Sequence, residues 1–437
     1  MAKRDDRHAA GIPAVDWTAV RIPSRVAHLA NGLTVVAHRD SKARVVAVYV
    51  AYRAGSRDEP GSRAGLAHLC EHLMFCGTKT LPGSYFLPFE RAGAAWMNAF
   101  VKEDYSAYFA TVPAGALDFA LDMEADRMAH LAEALEAERV DRQREVVRNE
   151  LRQRESAPYG CVTRTIAELA HPHGHPYAHP PNGLLEELDN ISTRDVREWI
   201  ETRHVAASAT VVVAGDVEPE GAIENARRHF ETVGSGPAIA RPACPGMVAV
   251  GGSRRVVEQD EQARLYIAWN GPGFASTDYP ALEVACELLG GGKSSRLWHR
   301  LAETERLVSQ VAVELRPREL GSQVLLSMTA HAGVPLSAIE AATAAELERL
   351  SSDGANQHEL DIARLRVFAR LIRGVERVGG PGSKSDALGL AMMLGGSPDA
   401  HDGRLSAIAA IGPAAIVATV RRWLGSDYAV LEMRAAT

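Results

Sequence analysis

Ala64-Gly65-Leu66-Ala67-His68-Leu69-Cys70-Glu71-His72-Leu73-Met74-Phe75 is the stretch from which the rest of the chain is read. Taken as a helix at about 100° per residue, with His68 at zero, it places Glu71 near 300° and His72 near 40°. The three share one face. Leu66, Leu69, Cys70 and Leu73 fall between roughly 100° and 200°, which is the core face. Two His at i and i+4 can reach one tetrahedral zinc ion at about 2.0–2.1 Å. Glu71, beside His72, points past the metal, where it can take a proton from water that zinc has brought to a pKa of about 7. The alternative is two ordinary helix histidines and a solvated Glu. With 16 His and 55 acidic residues in 437, chance supplies fewer than about 0.1 such matches. Cys70 lies on the opposite face and is assigned to the core.

A catalytic zinc has three protein ligands and one open position. The charged helix Asp141–Glu150 offers carboxylates for the third. Glu145 and Glu150 are five apart and do not share a face closely, so spacing alone leaves the choice between them open.

Outward from this helix the pattern is mixed. Leu33–Ala37 and Val45–Tyr52 (VVAVYVAY) are β-branched apolar runs and read as strands. Leu117–Ala134 and Val140–Glu155 have helical spacing. Ser208–Ala214 reads as a strand, followed by a helix to about Phe230. Thr232–Gly246, rich in Gly and Pro, is the expected domain boundary. The second half echoes the first. Arg264–Trp269 stands where VVAVYVAY stood, ahead of a helix from about Tyr279. In each half a helix carrying a Trp (Trp199, Trp423) leads into a strand, Thr210–Val213 or Ala429–Met433. A duplication of about 200 residues follows. The expected fold is α+β: two homologous domains, residues 1–235 and 236–437, each a mixed or antiparallel sheet packed on helices.

Composition narrows the function. The net charge of −7 leaves no basic footprint for nucleic acid. No run approaches the 18 or so apolar residues of a membrane span. The charged start lacks a secretory h-region, which gives a cytoplasmic expectation. Five scattered cysteines without a Cys-x-x-Cys fit reduced thiols.

His68-Leu69-Cys70-Glu71-His72-Leu73-Met74-Phe75 resembles the inverted zinc motif of the inverzincins, the pitrilysin and insulin-degrading family of metallopeptidases. Its short-chain branch, similar to mitochondrial processing peptidase and to bacterial zinc peptidases, is the nearest match. Asn31–Val36, Gly55–Glu59 with Gly65–Ala67, Trp96–Phe100, Arg144–Glu150, His175–Tyr177 and Leu289–Leu297 carry the likeness along nearly the whole chain. The resemblance implies a zinc endopeptidase with one zinc per chain, Glu150 as third ligand and Glu71 as base. It implies a sheet edge at Asn98 and Ala99 that pairs with peptide substrate. It also implies a second chain, as a homodimer or as a heterodimer with a paralogue lacking the zinc motif. The competing implication is a structural subunit without activity, since such members exist, typically with lost ligands. One departure stands out. Gln143 occupies a position, seven before the third ligand, where many members carry Glu, which implies altered metal affinity or pH profile.

Two further signals are set aside. Gly290-Gly291-Gly292-Lys293-Ser294 lacks the P-loop's earlier Gly, because Glu287 stands there. The cluster His171, His173, His175 and His179 is interrupted by prolines that prevent helical ligand spacing. Glu340–Leu350 and Gln357–Arg373 read as packed helices with solvated outer faces.

Overall fold

The computed structural model describes residues 15–237, 250–259 and 261–435. Along the first half run β1 (Arg25–His28), β2 (Thr34–Arg39), β3 (Val45–Tyr52), α1 (Leu66–Leu73), α2 (Phe86–Arg91), β4 (Trp96–Val101) and β5 (Ser106–Pro113). They are followed by α3 (Leu117–His130), α4 (Ala137–Ser156), α5 (Val162–Ala170), α6 (Thr193–Arg203), β6 (Ala209–Gly215) and α7 (Pro219–Phe230). The second half holds β7 (Arg254–Gln259), β8 (Arg264–Asn270), α8 (Tyr279–Gly290), β9 (Val308–Arg316), β10 (Gln323–Ala330) and α9 (Leu336–Asp353). It ends with α10 (Gln357–Val375), α11 (Lys384–Gly395), α12 (Asp399–Ala410), α13 (Pro413–Trp423) and β11 (Ala429–Ala435).

Local chemistry explains several boundaries. Ser192 with Asp195, and Asn356 with Glu359, form reciprocal capping boxes that start α6 and α10. Pro219 and Pro413 open α7 and α13, where a missing N–H costs nothing.

The two sheets repeat one topology. The first is ordered β1-β2-β6-β3-β5-β4 and the second β7-β11-β8-β10-β9. In each, one parallel pair (β2 with β6, β7 with β11) is followed by three antiparallel pairings. β3 corresponds to β8 and β6 to β11, the equivalences expected from the sequence, and the fold is the two-fold α+β arrangement. β1 is an addition at one edge of the first sheet. The strands of the first sheet come from residues 25–215 and those of the second from 254–435. Of the expected boundary Thr232–Gly246, the part from 238 lies outside the described residues, as does Cys244.

The halves interlock. Val36, Tyr49 and Phe109 on one face of the first sheet pack against Leu388 and Met392 of α11, which belongs to the second half. Val162 and Ile166 of α5 pack in turn against Tyr266, Ala268 and Leu431 of the second sheet. Each sheet thus borrows a helix from the other half. Polar contacts reinforce the exchange. The buried Asp104 accepts from Arg57 (2.8 Å), Tyr177 Oη (2.6 Å) and the Glu319 amide (2.9 Å), which ties the β9–β10 turn to the β4–β5 turn. Gly389 marks the closest approach: a Cβ there would lie 2.3 Å from Tyr49 Cε1. Gly389→Val should therefore overpack the α11 contact and destabilise the chain by about 1–3 kcal/mol; an unchanged urea midpoint would refute this.

The equivalent helix pairs of the two halves are joined differently. α1 packs on α4, and α8 packs on α10. Between α8 and α10, Arg370 pairs with Glu283 (2.8 Å) and with Glu287, and Arg366 with Glu287 (3.4 Å). Glu283 also meets Arg404 of α12 at 3.2 Å.

Candidate metal centre

Helix α1 has only eight residues, and Leu66, Leu69, Cys70 and Leu73 fix its inner side in the first core. An isolated helix of this length is unstable in water, so packing must supply its stability. It starts from Gly65 in a left-handed conformation (φ +109°), which an L side chain resists. Its outer face carries His68, Glu71 and His72 toward α4.

Glu150, not Glu145, is the α4 carboxylate that meets the histidines. Its Oε2 lies 3.6 Å from His68 Nε2 and 3.3 Å from His72 Nε2. Edges of about 3.4 Å are what a tetrahedral ion with bonds near 2.1 Å requires. One donor atom from each of the three lies within 4.8 Å of the others. Two imidazole nitrogens and one carboxylate oxygen are a zinc-type donor set that leaves a fourth position open, so the residues fit the metal.

Neighbouring groups orient the donors. His68 Nδ1 donates to the Asn182 carbonyl at 3.2 Å, which leaves Nε2 as the lone-pair nitrogen facing Glu150. Arg154, one turn beyond Glu150, holds its other oxygen, Oε1, at 2.6 Å. The hydrogen bond with His72 chiefly holds the Glu150 carboxyl down to about 2, against burial. Burial, followed by the neighbouring His72, depresses His68 to about 4, so it is neutral and able to ligate at pH 7. Burial also lifts Glu71 to about 7, with Glu150 adding to the rise and His72 opposing it. A carboxyl near 7 can both accept and return a proton.

These groups line a cavity of about 700 Å³ that also takes in Phe75, Phe86, Gln143 and Asn98 to Val101. Among the described residues, β4 is an edge strand whose one sheet neighbour is β5. Asn98 and Ala99 therefore sit at the cavity wall on a free edge. The Ala99 amide is met by Asn98's own side-chain oxygen at 2.9 Å. The amide of Val101, two residues on, hydrogen-bonds Glu71. The strand edge and the carboxyl are thus in direct contact. Gln143, two turns before Glu150, reaches Cys76 within the same cavity.

Three contributors lay outside the sequence reading. Arg154 could have been found from its i+4 spacing to Glu150. Asn182 acts through its carbonyl, and Phe86 through a ring stacked on Phe75 at 4.7 Å, and neither has a sequence signature. His171 and His175 stack ring on ring at 4.8 Å. Among the described residues, His68, His72 and Glu150 are the one group of three or more such side chains with metal spacing. A larger cavity of about 830 Å³ lies between the halves near His38, Trp96 and Lys384, away from these donors.

Comparison with known proteins places this geometry. Residues 34–175 match the insulinase model, peptidase family M16, and residues 190–367 match the model described as the peptidase M16 inactive domain. Zinc protease PqqE of Helicobacter pylori is 30% identical over 368 residues, covering 83% of this chain and 81% of the relative. Cytochrome b-c1 complex subunit 1 of Bos taurus is 28% identical over 272 residues, covering 61% of this chain and 55% of the relative. The crystal structure of a protease from Helicobacter pylori matches with a TM-score of 0.87 at 25% identity, covering 94% of this chain and 99% of that one. With both halves matched and the donor set in place, the chain belongs to the M16 peptidase family.

Proposed function

We propose that this chain is a zinc-dependent endopeptidase whose metal is held by His68, His72 and Glu150. The observation that carries the proposal is the meeting of those donors and Glu71 with a free strand edge in one cavity. An extended peptide adds to β4 at Asn98 and Ala99 by backbone hydrogen bonds, which grip without strict sequence choice. Bound zinc supplies Lewis-acid polarisation and lowers the pKa of water. Glu71 takes the proton from the attacking water and returns it to the leaving amine. Gln143 adds a hydrogen-bonding amide but no charge, so metal affinity or pH profile shifts relative to members with Glu there. A second chain, a copy or a paralogue without the zinc motif, completes the substrate chamber. An active homodimer on gel filtration would exclude an obligatory paralogue.

His72→Ala should reduce bound zinc from one ion per chain to background and remove cleavage of a quenched peptide. Chelation should do the same to the native chain, and added zinc should reverse it. The second reading, a structural subunit, draws on the inactive-domain match and the cytochrome b-c1 likeness. It expects a native chain that cleaves no peptide even when loaded with zinc.

A further inference from the structure

Helix α1 lacks a capping side chain at Gly65, yet its first amides are not bare. A carboxylate from six residues upstream reaches them. Glu59 Oε1 accepts from Gly65 N at 3.1 Å and from Ala67 N at 2.8 Å, and Oε2 lies 3.2 Å from Gly65 N. The Glu59 side chain is 1% exposed. Burial, with Glu187 and Asp58 adding to it, pushes the Glu59 carboxyl well up, and the amides of Ala67 and Gly65 pull it back. Its hold on α1 lies in these hydrogen bonds, which offset the cost of burying a polar group.

The other side of the same helix start is strapped by residues 179–187. Glu187 Oε2 accepts from Ala64 N at 2.7 Å, and Leu184 N donates to Ala64 O at 3.2 Å. Gly183 is pressed so close that a Cβ would lie 2.3 Å from Gly65 Cα. His179, at the strap's beginning, stands 3.7 Å from Glu59 Oε2. Asn182, in the middle of the strap, accepts from His68 Nδ1. One buried carboxylate therefore touches both the helix that carries the donors and the strap that aims the first of them.

We propose that Glu59 is a positioning residue for the metal centre: it fixes the start of α1 against the 179–187 strap, and so sets where His68 and Glu71 stand relative to Glu150. It acts through the backbone and touches neither metal nor substrate. The inference rests on the zinc reading above.

The test is Glu59→Gln, which keeps volume and one acceptor oxygen but replaces the other with an NH2 group that cannot accept from a backbone amide. Zinc affinity is read by competition with a chromogenic chelator, metal-free unfolding by thermal melt, and KM and kcat on a quenched peptide. Zinc affinity should fall about 10–100-fold, as when groups that orient metal ligands are removed. KM should stay within about twofold while kcat falls, and the metal-free midpoint should move by no more than about 5 °C. Unchanged zinc affinity overturns the proposal. So does a collapse of metal-free stability that accounts for the loss of zinc, because the role is then general to the fold. If Glu59→Gln does not accumulate, Glu187→Gln carries the test with the same signature at smaller amplitude. A native chain that binds no zinc refutes the zinc reading itself. Zinc-binding native protein with an indifferent variant refutes only the role of Glu59.

Discussion

Glu71→Gln should lower kcat by about 10²–10⁴-fold or more while zinc stays at one ion per chain. The substitution preserves shape and leaves His68, His72 and Glu150 untouched, so the donor set survives. Gln can still accept the Val101 amide, so the contact with the strand edge also survives. What disappears is a group able to carry a proton between water and the leaving amine. Burial lifts the carboxyl to about 7 in the metal-free chain, and a cation held beside it would draw it back toward the ionised form that a base needs. Metal analysis and quenched-peptide turnover on the same preparation separate the two effects. Full turnover in the variant would remove Glu71 from the base role, whatever the metal content.

The second large effect is expected inside the core. Arg127 and Glu124 of α3 form a buried ion pair with side chains 1% and 3% exposed. The guanidinium lies 4.5 Å from the Tyr85 ring centroid and 4.6 Å from that of Tyr108. Burial pushes the Glu124 carboxyl up, and Arg127 pulls it back. Glu124→Ala would leave the guanidinium without its carboxylate in an apolar site, and should destabilise the chain by about 3–5 kcal/mol. Replacing both partners by apolar residues, Glu124→Leu with Arg127→Met, should be much nearer neutral, because no buried charge remains. Urea midpoints of the two variants decide the matter: equal losses would mean that packing, not the orphaned charge, dominates. Tyr85 and Phe75 both border this pair, and Phe75 walls the metal cavity. The single variant should therefore also slow turnover.

The legible parts of this chain are those with a strong period. VVAVYVAY is β3, and its echo Arg264–Trp269 is β8, because a central strand buried on both faces needs an uninterrupted apolar run. His68, Glu71 and His72 are legible because helical spacing is rigid. Spacing leaves Glu145 and Glu150 open and the resemblance implies Glu150, whose Oε2 lies 3.6 and 3.3 Å from the two imidazoles. β1 and β7, exposed edge strands with little apolar patterning, do not stand out in the sequence, and β5, β9 and β10 are not read from it either. The exchange of α5 and α11 was also invisible. An amphipathic helix states that it has a partner, not which half of the chain supplies it. The Glu59 contact hides for a similar reason: its acceptors meet backbone amides, which every residue has.

The ion pairs between α8 and α10 have a consequence for how the two copies of the fold can fail. In the first half, the matching helices α1 and α4 face each other across imidazoles and a carboxylate, a junction that, on the proposed zinc reading, a bound cation would strengthen and a chelator would weaken. In the second half the junction is already closed by Glu283, Glu287, Arg366 and Arg370, charges that dissolved salt screens and chelators ignore. A duplicated architecture has thus diverged in what it depends on. On the zinc reading proposed above, chelation would weaken the α1–α4 junction and leave the α8–α10 junction as it is.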